Sequence, residues 1–540
     1  MEESGSGTPE THDCVIKLRL DPQRRKDRVV IGCGAGFGGD RPIAALKLLQ
    51  RVKELDLVLE CLAERTLAER YTAMKFGGKG YDPRISEWMQ LLLPLAVERG
   101  VRIITNMGAK SPYGAQEEVL QIASKLGINI NVGLAYQSSV SEIGLDNQLK
   151  YVDGDVSVYL GAAPIVECLE RYTPDVIITS RVADASLFLG PMVFELGWNW
   201  DELQLLAQGS LAGHLLECGC QLTGGYYMHP AKAESTGGVL DFSTCAQQLL
   251  YEVGDPSAYI TPDVIVDVRM SHFNHYQTAK FSVVEQSLLL NLYLKNYCCW
   301  GQRTVDGKVG EKSPMEVMNL FNVLKLLNFC WIQGHDTIFH GHQVRAWMDE
   351  SYPGISNHII SYIIGLDSVK ATCISEIMLK PSEDVRLRMD GLFEKEEHAV
   401  QFTKEFTALY TNGPAGGGGI STGCKKEIFL EKGLVGREYV SWQISVARNN
   451  IISPADKSAS HLVTKQNYAW LESDSTPVPR ETVYSASQKI AQETRLSAAL
   501  AGQRIPLYDV AHSRAGDKGN DLNFSIIPHY PLISRGLRRL

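Results

Sequence analysis

Charged side chains recur in this chain just after short apolar runs, a placement suited to holding a small anion and moving protons on it. Arg41 follows the run RVVIGC and a glycine-rich loop; Asn106, Gly108, Lys110, Ser111 and Tyr113 end or follow VRIITN; Arg181, Asp184 and Ser186 follow DVIITS. Glu60, Glu64 and Arg65 lie at and beyond the end of DLVLECL. An arginine can hold a carboxylate or phosphate through two parallel hydrogen bonds, so Arg41, Lys110 and Arg181 are candidate anion binders. Asp184 is a candidate proton carrier, since acid–base catalysis needs a carboxyl or imidazole within hydrogen-bond reach. In GHLLECG, His214, Glu217 and Cys218 fall at i, i+3 and i+4, on one face of a helix. That spacing suits acid–base work or metal ligation, although no further ligand outside this segment is evident. Packing of a satisfied histidine in the core competes with both readings.

The loop after RVVIGC matches G-x-G-x-x-G at Gly34, Gly36 and Gly39, with Glu60 near the distance expected of a ribose-binding acid. Two features weaken a nicotinamide reading: Asp40 would face a pyrophosphate with like charge, and Pro42 delays the helix start. Asp40 as a helix N-cap is preferred, with Gly36 and Gly39 permitting close approach of a ligand and Arg41 gripping it. Gly416 to Gly419 could cradle a phosphate but lack a Walker lysine. Near the C-terminus, Arg514, Asp517 and Lys518 sit between LYDVA and LNFSII, where a charged hairpin turn and a ligand contact are equal readings.

The elements that must position these residues alternate. Apolar runs at 28–33, 56–62, 101–106, 128–131 and 175–180 read as strands, and segments at 42–55, 85–98, 115–126 and 162–171 read as helices. Such alternation predicts βαβ units and an α/β fold with a mainly parallel sheet flanked by helices. Ligands in parallel sheets sit beyond the carboxyl ends of the strands, so the four polar loops should share one edge. LQLLAQGSLAGHLLECG reads as a long helix.

With 540 residues the chain calls for two or three domains. A net charge of −9 argues against nucleic acid as partner. No uncharged run spans a bilayer and no signal segment is evident, so a cytoplasmic location without membrane contact is expected. Twelve scattered cysteines without paired C-x-x-C motifs read as free thiols. Assembly into a homo-oligomer is left open, and no resident cofactor is assigned.

The motifs GCGAGFGGDRP, ECLAERT, TNMGAKSP, RVADASLFLGP and AGHLLECGCQLTGGY resemble the AtuA-like family, named for acyclic terpene utilisation. LYDVAHSRAGDKGND resembles the start of that family's small ferredoxin-like α+β domain. The resemblance covers roughly 28–230, 231–270, 343–440 and 505–528. It implies a place in the bacterial breakdown of citronellol- and geraniol-type compounds, whose intermediates are CoA thioesters, without fixing a reaction. The domain reading is a disordered polar tail at 1–27, an AtuA-like α/β domain at 28–440, a linker at 441–504 and a truncated ferredoxin-like domain at 505–540.

Three departures stand out. Relatives carry roughly thirty further residues after Met228-His229-Pro230, HYPLISRGLRRL replaces most of the small domain, and the likeness lapses between about 271 and 340. Codons for Gln302 to Val317, read one nucleotide earlier, can give KDCGWKGWGEISYGG, a family-like segment. Asn322 to Phe329 yields an ordinary helix in the same way. Residues 271–340 therefore read as a frame-shifted translation, with little packed core expected there, and a non-catalytic product is one reading of the chain. The preferred one is an enzyme acting on a carboxylate or CoA thioester of branched or isoprenoid type, by hydratase, lyase or isomerase chemistry. Asp184, His214 or Glu217 would carry protons, and Gly36, Gly39, Asp40, Arg41, Asn106, Lys110, Arg181, Arg514 and Lys518 would bind substrate. A nicotinamide-dependent oxidoreductase is the alternative.

Overall fold

The computed structural model describes residues 10–141 apart from 53, 156–223, 240–268 apart from 241, short strands between 273 and 302, and 323–332, 337–364, 386–412, 417–427, 430–449, 511–518 and 521–528. Its centre is a seven-stranded sheet. In chain order the first elements are β1 (Glu10–Asp13), β2 (Ile31–Ala35), α1 (Pro42–Arg51), β3 (Asp56–Leu59), α2 (Glu64–Lys75), α3 (Ile85–Arg99), β4 (Arg102–Thr105) and α4 (Pro112–Lys125). There follow β5 (Asn131–Val140), β6 (Val156–Val158), α5 (Ala163–Tyr172), β7 (Val176–Thr179), α6 (Asp184–Leu196) and α7 (Leu203–Glu217). The spatial order is β1, the strand Val440–Arg448, β5, β7, β4, β3, β2. The five strands from β5 to β2 run parallel. The loops after β2, β3, β4 and β7 therefore share one edge, as the alternating pattern predicts.

The central strands read as unbroken apolar runs because both of their faces are covered. Successive side chains go to opposite sides. Leu57, Leu59, Ile103, Val176 and Ile178 join a core with Leu49, Trp88, Met89 and Val119 of α1, α3 and α4. Val58, Ile104 and Ile177 join Ile165, Leu169, Leu187 and Phe188 of α5 and α6 on the other side. Pro42 opens α1, where a missing N–H is harmless, and Gly100 closes α3 at φ 64°. α7 lies against α6: a Cβ on Gly213 would come within 2.6 Å of the Ala185 carbonyl oxygen. A separate core of Met348, Ile359, Met389, Phe393, Phe402 and Phe406 joins helices Thr337–Ser351 and Glu396–Asn412 to an antiparallel sheet. That sheet is ordered 359–364, 386–393, 323–332, 417–427.

Several expectations need correction. The strand expected at 128–131 begins at Asn131 instead. Ile128 N–H still closes the end of α4 on the Ala123 carbonyl at 2.9 Å, and ladder pairing starts at Asn131 opposite Arg448. Residues 10–27 are not a loose tail: Glu10–Asp13 pairs antiparallel with the strand Val440–Arg448, and Cys14 is buried. That strand in turn pairs with β5, so 441–448 is part of the main sheet and not a linker. Arg514 and Lys518 lie within the strand Ala511–Lys518, paired with Asp521–Pro528, and not on the connection. Gly417–Gly419 begin a strand. Within 271–340, Asn296–Gln302 pairs with β6 and Leu430–Gly436, and Val323–Ile332 is an interior strand. The packing expectation for 271–340 concerns side chains outside the described residues. Residues 450–504 and those before 10 also lie outside them.

Candidate active site

At the shared edge, backbone pairing alone would bring the ends of β2, β3, β4 and β7 together, and side chains then tie them. Glu60 N–H donates to the Ala35 carbonyl at 2.9 Å. Asn106, fully buried after β4, accepts from Cys61 N–H at 2.8 Å and donates through Nδ2 to Glu60 Oε1 at 2.8 Å. Leu62 N–H donates to the same Oε1 at 3.0 Å. The Glu60 carboxyl is thereby fixed in place.

Arg181, after β7, is 2% exposed. It donates through Nη1 to Asp184 Oδ1 at 2.6 Å and to the Leu62 carbonyl, and through Nη2 to Glu64 Oε1 at 3.2 Å. Its Nη1 lies 3.9 Å from Glu60 Oε1. The guanidinium sits over the Tyr159 ring at 4.4 Å, and the Tyr159 hydroxyl donates to Glu64 Oε1. One cation thus meets three carboxyl groups. Burial, and secondly the nearby Asp184 carboxylate, push the Glu60 carboxyl up to about 8, outweighing the lowering by Arg181 and Asn106. Asp184 stands in the first turn of α6 with its side chain 16% exposed, which makes it the open side of the cluster. The helix dipole favours a carboxylate there.

The expected residues divide into groups. Asn106, Arg181 and Asp184 come together, joined by Glu60, Glu64 and Tyr159. Arg181 is engaged by the protein's own acids, which suits it to holding carboxyl groups in position more than to receiving a ligand anion. Gly36 and Asp40 form a closed turn, with Gly36 N–H donating to Asp40 Oδ2 at 2.9 Å. Asp40 is not the cap of α1; Arg41 holds that position, makes no side-chain cap bond and is exposed. Gly39, also exposed, lies between Gly38 and Asp40, whose carbonyls both accept from Arg84. Lys110 donates to Ser157 Oγ at 2.8 Å. His214 Nδ1 lies 2.9 Å from Glu217 Oε1, both residues are buried, and the imidazole packs on Tyr259 with ring centroids 4.9 Å apart. The side chains of Arg514 and Lys518 are outside the described residues.

The glycine loop does not fit a dinucleotide. Asp40 already takes the Gly36 N–H, and the backbone of Glu217 and Cys218 at the end of α7 covers Gly36. Glu60 faces Asn106 and Leu62, not a ribose. A Cβ on Gly36 would lie 2.5 Å from the Glu217 carbonyl oxygen and 2.7 Å from Cys218 backbone atoms. Gly36→Ala should therefore destabilise the protein by roughly 1–3 kcal/mol, read from urea melts. A wild-type midpoint would show that loop and helix part easily. No three His, Cys, Asp or Glu residues among those described are arranged to hold a metal. Burial raises the Cys33 and Cys61 thiols well above the usual range, which makes them poor nucleophiles.

Sequence reasoning placed Glu60 and Glu64 on the same edge as Arg181, with a ribose contact for Glu60 only as the disfavoured alternative, but assigned neither acid a part in the chemistry. The signal available was ECLAE, two glutamates four apart at the end of a buried run. Tyr159 carried no signal, because it reaches Glu64 across 95 residues of chain.

A helix-flanked, mainly parallel sheet with buried acids at its carboxyl edge defines an α/β protein whose ionisable groups gather where the parallel strands end. The chain belongs to the AtuA family: the Acyclic terpene utilisation family protein AtuA matches residues 29–235 and 231–286, and the AtuA ferredoxin-like domain matches 505–539. No curated protein and no solved structure matches the chain. No helix among the described residues is long and apolar enough to cross a membrane.

Proposed function

We propose that this chain is an enzyme that moves protons on a small acyl substrate, a carboxylate or CoA thioester of branched or isoprenoid type, in hydratase, lyase or isomerase fashion. The observation that carries this reading is Glu60. A buried carboxyl pushed up to about 8 keeps its proton near neutral pH and can give it to a substrate. Asp184, beside it and more open, is suited to take a proton from the carbon next to the substrate carbonyl. Glu60 then returns one at the other end of the reacting system, so the pair ends with its protons exchanged. Arg181 and Asn106 position the two carboxyl groups. Lys110 and Arg41 would receive the anionic end, with Gly36, Gly39 and Asp40 shaping the neighbouring wall. Arg514 and Lys518 of the C-terminal hairpin are further anion contacts in this reading. His214 with Glu217 is a second acid–base pair close to the glycine loop. The family's association with acyclic terpenes supports the substrate class, and a cytoplasmic setting suits CoA-linked chemistry.

The test is deuterium exchange. A panel of branched acyl-CoA thioesters and their free acids is incubated with the protein in heavy water, and label at carbon is read by mass spectrometry. Label should enter at least one member, and Glu60→Gln should slow it about 10²- to 10⁴-fold, the usual range for loss of an acid–base group. Exchange that is absent across the panel, or equally fast in the variant, would overturn the proposal.

A further inference from the structure

Residues 14–21 leave β1 and cross α5 as a strap. Arg19 anchors it, with its N–H donating to Asn199 Oδ1 at 2.9 Å, its Nε to Glu170 Oε1 at 3.1 Å and its Nη1 to the Val193 carbonyl at 3.0 Å. Between strap and helix lies a cavity of about 440 Å³, a size usual for small-molecule sites. Leu160, Pro164, Val166, Trp200 and Trp442 give it apolar walls. Val15, Ile16 and Leu18 of the strap border the same space while 46%, 41% and 58% exposed. The pinned strap thus leaves three large apolar side chains partly in water beside the cavity.

The charges around the cavity say what kind of ligand fits. Lys17 Nζ lies 2.9 Å from Asp13 Oδ2, Arg19 is held by Glu170, and Arg171 pairs with Glu167. Arg437 donates to the carbonyls of Pro262 and Cys14 and has Asp263 nearby. Asp21, the exception, is exposed at the rim. A charged ligand would have to break one of these pairs or lie beside an unmatched charge, and an uncharged one would not.

We propose that the cavity beneath the N-terminal strap is a binding site for an uncharged, mainly apolar small molecule. The site is separate from the acid cluster and does not rest on the acid–base reading. The probe is the neutral fluorophore N-phenyl-1-naphthylamine, titrated into the full chain. Saturable binding near one per chain is expected, displaced by decan-1-ol and not by decanoate. Ala163→Phe, which fills the cavity beside α5, and Leu18→Asp, which puts a charge on the exposed strap, should each weaken binding about tenfold or more (about 1.4 kcal/mol). Cooperative melts check that both variants fold, and Leu18→Asp, at an exposed position, serves if Ala163→Phe does not. Absence of saturable binding, displacement by decanoate as effective as by decanol, or full affinity in a folded variant would overturn the proposal.

Discussion

Glu60→Gln should be more stable than the wild type at pH 8.5 and close to it at pH 5. The cause is the proton on Glu60. Burial first, and the Asp184 carboxylate second, raise its carboxyl from an ordinary 4.5 to about 8. The native protein keeps this proton across an interval where the unfolded chain has released it. The group's contribution to stability is therefore complete below pH 4.5, declines as pH rises toward 8, and is lost above that. The full span corresponds to something on the order of 5 kcal/mol. Glutamine accepts from Asn106 and Leu62 N–H as the acid does, carries no charge at any pH, and can donate toward Asp184. Urea unfolding at several pH values from 5 to 9 reads the difference. Parallel stability curves for the two proteins would show that Glu60 does not hold its proton, and would remove the main support for its role as an acid.

The parts of this molecule legible in its sequence are those fixed by local pattern. VRIITN and DVIITS each centre on adjacent isoleucines, one facing each side of the sheet, because helices cover both faces of their strands, and Pro42 and Gly100 punctuate helices by backbone chemistry alone. Parallel order follows from alternation, so the shared edge and the meeting of Asn106, Arg181 and Asp184 could be read in advance. What was not legible depends on pairing across long separations. Asn131 starts a strand because Arg448 stands opposite it, 317 residues away. His12 looks like part of a polar tail until its ring stacks on Trp442 at 4.3 Å. The same holds for charge. Taken singly, Arg181 is a plausible anion receptor and Glu60 a plausible ribose ligand. Only their common burial shows that the arginine serves three acids and that one of those acids is pushed toward its protonated form.

Arg181→Met should be the most damaging single substitution at this edge, lowering stability by roughly 3–5 kcal/mol, the usual effect of removing one partner from a buried ion cluster. Methionine fills similar volume and keeps contact with Tyr159, so packing loss is small beside the electrostatic one. The Leu62 carbonyl, Asp184 Oδ1 and Glu64 Oε1 each lose a charged donor, and each such loss of a buried partner is costly. Arg181→Lys is not a safe replacement, since one ammonium cannot reach a carbonyl and two carboxylates in the planar arrangement a guanidinium offers. If charge is the cause, neutralising the partners should recover much of the loss. The triple variant Arg181→Met with Asp184→Asn and Glu64→Gln should unfold at a clearly higher urea concentration than Arg181→Met alone. A triple variant no more stable than the single one would place the arginine's contribution in packing, and Glu60 and Asp184 would then owe their positions to the backbone instead.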